Sequence, residues 1–372
     1  MHDTNPAVPD AERYKLFGGF GKPLTSKAGG TFYYMAGPDG IHFPSAPVPM
    51  LHGVNNSIRA DCLPDFHFDA ARSRYIGIAR GPRPGDLIGC SHSWYPQCAT
   101  RGGKCSVCDR NFRTFSFMTS PDLATWTVSV PPQPATKEHQ SYTTAAFPFH
   151  DVTLATVSVF EQTTAPTDFG FVRCSLYFTS AADIATGLWQ SLGSRAGGDD
   201  LIALGPPGAF DYGLCYAAPP ILAGVARSPG STGGRARLYY WGVDGQHYAP
   251  HNASFGMATI PSRRLAGVRT GHGGRGVVRS VAVNCSGPRL IVTVDTNTNT
   301  AGGVRAQVAG AGPPFGFAAS NQIEGMNVTD MEMTWGAPKQ DGTRNLSQFI
   351  GQSIVIEFEL TGQTALYSFG FA

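Results

Sequence analysis

A strand, a tight turn and a following aromatic residue recur along this chain, and a repeat of that kind commits the chain to antiparallel β-structure. The first copy runs Tyr33-Tyr34-Met35-Ala36-Gly37-Pro38-Asp39-Gly40-Ile41-His42-Phe43. Phe115-Ser116-Phe117-Met118-Thr119-Ser120-Pro121-Asp122-Leu123-Ala124-Thr125-Trp126 repeats it, as does Leu176-Tyr177-Phe178-Thr179-Ser180-Ala181-Ala182-Asp183 ending at Trp189. Phe255 to Ser262 is a weaker fourth copy. Alternating aromatic and small residues make a half-buried strand. Proline presets φ in the turn, and the aspartate side chain reaches the amides that follow. Asp39, Asp122 and Asp183 are therefore read as turn residues.

Each copy follows another strand-like run, such as Arg74-Tyr75-Ile76-Gly77-Ile78-Ala79-Arg80 before the second. Units of this design predict four-stranded propeller blades over residues 1–276; a β-sandwich with similar hairpins is the alternative. Beyond residue 277 the pattern becomes a clean period of two, in Arg289–Asp295, Val304–Val308, Ser353–Leu360 and Ala365–Phe369. That predicts an antiparallel sandwich over 277–372, with the run Gly271 to Gly276 as a hinge. Composition agrees: the 46 glycines and 28 prolines supply turns, and 15% charged residues are too few for a coiled coil. With 42% hydrophobic residues and a net charge of +2, the chain has enough apolar surface to escape disorder.

The near-neutral charge provides no basic stripe, so nucleic acid is not an expected partner. No apolar run approaches the length of a membrane span, and no signal peptide is visible at Met1-His2-Asp3-Thr4. Eight cysteines occur, at 62, 90, 98, 105, 108, 174, 215 and 285. Cys90, Cys98, Cys105 and Cys108 crowd one segment. A disulfide-stapled loop is the preferred reading, with a zinc knuckle using Cys105-x-x-Cys108 or free thiols as alternatives. Five glycosylation sequons begin at Asn55, Asn252, Asn284, Asn327 and Asn345. Cysteines and sequons together predict a secreted glycoprotein. There is no phosphate loop, zinc helix, nucleophile elbow or dinucleotide fingerprint, so no cofactor and no catalytic metal is expected.

The Ser-Pro-Asp-Leu-x-x-Trp hairpin and the propeller-then-sandwich layout resemble the five-bladed glycoside hydrolases, nearest to the family 32 fructan hydrolases and their bacterial relatives. Phe210-Asp211-Tyr212-Gly213-Leu214-Cys215-Tyr216-Ala217 is similar to a late-blade segment of that family. Arg59-Ala60-Asp61-Cys62-Leu63-Pro64-Asp65-Phe66-His67-Phe68-Asp69 stands where the family carries Arg-Asp-Pro and an inner strand. The nucleophile motif of the family is absent; His2-Asp3-Thr4-Asn5-Pro6 is its nearest echo. The Glu-Cys acid/base motif is absent too, and Glu138, before Tyr142, is the nearest carboxylate. The resemblance implies an all-β fold, a five-bladed β-propeller followed by an antiparallel β-sandwich, and hydrolysis of an oligo- or polysaccharide.

Glycoside hydrolysis needs two carboxylates flanking the bond, one of them protonated at the working pH. A propeller gathers the starts of its inner strands around one funnel, so acids distant in sequence meet there. Asp61, Glu138, Asp211 and Asp3 are the candidate catalytic residues. Asp61 would orient the sugar or stabilise positive charge in an oxocarbenium-like transition state, Glu138 would act as acid/base, and Asp3 or Asp211 as nucleophile or base. Arg59, Asp65, Tyr142, Trp241 and His247 are the candidate substrate-binding residues. Each has a plain alternative: a turn role for Asp61 and Asp211, a solvated loop for Glu138, a frayed end for Asp3, core packing for the aromatics. At the level of the whole chain, the rivals are a sugar-binding propeller without catalysis and an extracellular structural or adhesion protein.

Overall fold

The structure, a computed structural model, describes residues 1–19, 32–50, 65–80, 115–129, 139–149, 152–161, 170–192, 200–218, 221–222, 235–247, 251–261, 264–271, 274–296, 302–336 and 344–372. Arg59, Asp61, Glu138 and the cysteines at 62, 90, 98, 105 and 108 lie outside these residues. Regular structure among the described residues is β-strand apart from short 3₁₀ turns such as Asp10–Glu12. The chain is all-β and forms two compact units, Met1–Pro219 with Leu238–Ala258, and Pro220–Arg237 with Thr259–Ala372.

The first unit is a succession of antiparallel blades of the propeller type. In the first, the Asp3 N–H donates to the Arg13 carbonyl at 2.7 Å and the Lys15 N–H to that of Met1 at 2.9 Å, so residues 1–3 line one edge. Tyr14–Gly19, Phe32–Gly37 and Val48–Met50 then follow in order. The second blade runs Asp65–Asp69, Arg74–Arg80, Phe115–Ser120 and Thr127–Ser129. Arg74–Arg80 and Phe115–Ser120 pair directly, Arg80 opposite Phe115, so the cysteine-rich segment connects two hydrogen-bonded neighbours. His139–Phe149, Val152–Glu161, Phe171–Thr179 and Gln190–Ser191 make the third. Leu214–Ala217 continues this sheet, Leu214 pairing in parallel with Val172, and on its other side pairs with the end of Arg235–Val243.

Successive blades pack face to face through aromatic residues. Phe17 stacks on Phe66 with ring centroids 4.2 Å apart, and Phe117 stacks on the fully buried Trp189 at 5.7 Å. Gly77 is required by this packing: a Cβ there would come within 2.8 Å of the Phe66 ring and 2.9 Å of the Met118 methyl.

The repeated turn has the same chemistry in three copies. Asp39 Oδ1 accepts from the Ile41 and His42 amides at 2.9 and 2.7 Å. Asp122 Oδ1 accepts from Ala124 and Thr125, both at 2.9 Å, and Asp183 Oδ1 accepts from Ala185 at 3.0 Å. The aromatic then folds under the turn: Trp126 Nε1 donates to the Leu123 carbonyl at 2.8 Å and Trp189 Nε1 to that of Ile184 at 3.3 Å. The amide bonds hold the Asp122 carboxyl below its ordinary range, the Thr125 N–H contributing most. Asp122→Ala is expected to cost about 0.5–2 kcal/mol, by analogy with a lost helix cap, and Asp122→Asn much less, since an amide oxygen still accepts. Urea unfolding of the two variants checks this.

The second unit is a sandwich. One sheet has the order Val268–Arg269, Ala365–Phe371, Leu290–Asp295, Asn327–Met333; the other has Arg275–Arg279, Ile356–Thr361, Gly303–Val308, Ile323–Glu324. Leu290, Val292 and Val294 from the first meet Val304, Ala306, Phe358 and Leu360 from the second in one core with Trp335. The run predicted as one strand over Ser353–Leu360 is two. Ser353–Ile354 pairs with Val283–Asn284, and Ile356–Thr361 joins the sheet. The break falls at Val355, whose carbonyl accepts instead from the Ala309 amide at 2.9 Å. At the end of the glycine run, the Gly274 N–H donates to the Gly271 carbonyl at 3.0 Å, and Arg275 and Gly276 pair with Thr361 and Leu360.

Candidate functional site

Three of the blades meet at Asp65. This residue begins the strand Asp65–Asp69, and period two separates its neighbours by face. Phe66 turns toward Phe17 of the first blade. Asp65 turns toward the third, where its Oδ2 accepts from the Ala146 amide at 3.2 Å. The Met1 nitrogen, bonded to the Lys15 carbonyl at 2.8 Å, lies within electrostatic range of both Asp65 and Asp3. Burial pushes the Asp65 carboxyl up to about 7, against the opposing pull of hydrogen bonds from the Ala146 and Phe66 amides. A carboxyl poised there can give or take a proton at neutral pH.

Other buried polar groups sit beside it. His67 shares the Asp65 face, and burial holds its imidazole below the ordinary value, with Asp69 opposing. Its Nδ1 has no hydrogen-bond partner among the described residues. The same is true of the buried Thr144 hydroxyl, one pleat from Ala146 on the strand His139–Phe149. Buried polar atoms are nearly always satisfied by protein or water.

Asp3 is placed otherwise than at a frayed end. It is 0% exposed. Its Oδ1 accepts from the Asn5 amide at 3.0 Å, its Oδ2 from the Tyr75 hydroxyl at 3.1 Å, and Lys15 Nζ stands 3.8 Å away. Burial pulls the Lys15 ammonium down from its ordinary value while Asp3 and Glu12 pull it back. Buried charges survive only when paired, and the Tyr75 hydroxyl bond ties Asp3 of the first blade to the second.

Asp211 is nearly buried, and its Oδ2 accepts from the Tyr240 hydroxyl at 2.8 Å. Burial first, then that bond, pushes the Tyr240 phenol well above its usual value. The backbone around Asp211 is a turn, closed by Ala209 onto Pro206 and by Tyr212 onto Ala209. Tyr142 and His247 are brought together: His247 Nε2 lies 2.9 Å from the Tyr142 hydroxyl, and the Tyr142 ring packs on Tyr216 at 5.6 Å. Tyr142 and Ala146 lie about 13 Å apart along one strand, at ~3.3 Å per residue. Trp241 keeps 43% exposure and packs on the exposed Phe255 at 5.1 Å.

Sequence reasoning placed Asp65 among binding residues and missed His67, Thr144, Lys15 and Tyr75. Only Asp65 and His67 carried a signal, as alternate polar residues in an otherwise aromatic strand. Among the described residues there is no cluster of metal-ligating side chains.

No protein-family model matches the chain, and no curated protein matches it. Solved structures do. An N-acetylgalactosamine deacetylase from F. plautii, in complex with blood group B trisaccharide, is 14% identical with a TM-score of 0.38, over 64% of this chain and 66% of that one. A family 43 arabinoxylan arabinofuranohydrolase from Bacillus subtilis is 10% identical with a TM-score of 0.35, over 96% of this chain and 76% of that one. The Bombyx mori family 32 β-fructofuranosidase is 11% identical with a TM-score of 0.34, over 97% and 80%.

Proposed function

We propose that the chain is a glycoside hydrolase acting on an oligo- or polysaccharide, with Asp65 as the proton donor to the leaving oxygen. The observation that carries this reading is the Asp65 carboxyl, pushed up to about 7 where three blades meet. Retaining and inverting mechanisms both pair such an acid with an ionised carboxylate across the bond. Asp61, four residues before Asp65, and Glu138, directly before His139–Phe149, are the proposed partners. Asp3 supports the site by fixing the first blade, and Tyr142 with His247 offers a ring and an imidazole to the sugar. The test is release of nitrophenol from a panel of aryl furanosides and pyranosides, comparing the parent with Asp65→Asn, Asp61→Asn and Glu138→Gln. Activity that is indifferent to Asp65→Asn overturns the assignment.

A sugar-binding propeller without hydrolysis is the second reading. It is favoured by the full enclosure of Asp3, which offers no surface to a substrate. Saturable sugar binding with no product under any condition selects it.

We also propose that the protein is secreted and glycosylated. Asn252, Asn284, Asn327 and Asn345, the sequon asparagines among the described residues, are all exposed. Expression through a eukaryotic secretory pathway should yield a mass that falls on treatment with an N-glycosidase; an unchanged mass refutes glycosylation.

A further inference from the structure

The strands Arg275–Arg279, Ile356–Thr361 and Gly303–Val308 present Phe358, Ala306 and Val308 to the sandwich core. Period two turns Arg279, Glu357 and Gln307 to the opposite face. Register places these three in one row, Arg279 opposite Glu357 and Glu357 opposite Gln307. They are hydrogen-bonded across the row: Arg279 Nη1 donates to Glu357 Oε1 at 2.9 Å, and Gln307 Nε2 donates to Glu357 Oε2. The row forms one wall of an open groove of about 640 Å³, lined also by the turn Val308–Ala311 and by Phe349, Gln352 and Ser353. That volume lies within the roughly 300–1,000 Å³ of small-ligand sites.

We infer that this groove is a carbohydrate-binding site, for a short neutral oligosaccharide, separate from the Asp65 site. The chemistry of the lining selects that class. Arg279 and Glu357 cancel in charge, so an anion gains little and meets the Glu357 carboxylate. An apolar ligand would strip water from a guanidinium, a carboxylate and two amides without replacing its hydrogen bonds. Vicinal hydroxyls can donate to Glu357 and accept from Arg279, Gln307 and Gln352 together. The mutual bonds of the row hold these planar groups in place before binding, which reduces the ordering cost. Phe349, held edge-on to Phe315 with centroids 5.0 Å apart, supplies a rigid apolar surface for a sugar face.

The test uses the full chain carrying Asp65→Asn, so that binding is read whether or not the Asp65 assignment holds. Calorimetric titration with cellotriose, xylotriose and 1-kestose should give, for at least one, a dissociation constant of about 1 mM or tighter. Arg279→Ala with Gln352→Ala, both exposed positions, should weaken that binding at least tenfold and leave the melting temperature in place. Phe349→Leu, which keeps an apolar side chain against the core, should weaken it too. The inference is overturned if none of the three sugars binds, or if the double variant binds as before.

Discussion

Asp65→Asn is expected to reduce sugar hydrolysis by at least about a hundredfold, the lower range for losing a positioned acid. The pH profile distinguishes a lost acid from a lost contact. With its carboxyl at about 7, the parent should lose activity as pH rises through 7, because the donor ionises. Residual activity of the variant should lack that limb.

Stability should move the other way. The folded carboxyl titrates near 7 and the unfolded one near 3.8. Between these values the folded state holds a proton that the unfolded state has released, so stability falls as pH rises from about 4 to about 7. The whole loss is on the order of 4 kcal/mol at ~1.4 kcal/mol per pH unit. An amide carries no such penalty and can still accept from the Ala146 N–H. Asp65→Asn should therefore match the parent in denaturant midpoint at pH 4 and exceed it at pH 8. A variant that is less active yet more stable in alkali is the signature of a group kept for chemistry. If the parent and Asp65→Asn show the same pH dependence of stability, Asp65 is not a buried acid.

The second large effect is expected at Trp335→Ala. Trp335 is fully buried in the sandwich core, against Phe315 at 5.5 Å, and its Nε1 donates to the Ala306 carbonyl at 3.0 Å. Truncation opens a cavity and orphans that buried carbonyl, a combination worth about 3–5 kcal/mol. Trp241→Ala is the contrast. That side chain is 43% exposed, and its loss should stay within about 1 kcal/mol, near the range for surface substitutions. Equal shifts in urea midpoint for the two variants would show that the sandwich core is not what holds Trp335.

The strands, the blade repeat and the turn aspartates were legible in the sequence because each rests on local physics. Asp39, Asp122 and Asp183 bond to amides two or three residues ahead, so side-chain type and spacing already contain the turn. The sandwich strands alternate because one face of each meets a core. The Asp65 carboxyl, by contrast, is raised by burial and meets the Ala146 amide from 81 positions away. The enclosure of Asp3 depends on Tyr75, 72 positions away. Asp183, a turn residue by its spacing, also binds Arg74 Nη2 at 2.5 Å across 109 positions. The sequence by itself determined an all-β chain of blade-like hairpins and a sandwich. Only the tertiary structure decided which carboxylates are charged, enclosed or poised, because a pKa answers to burial and to partners that the folded chain brings together from distant strands.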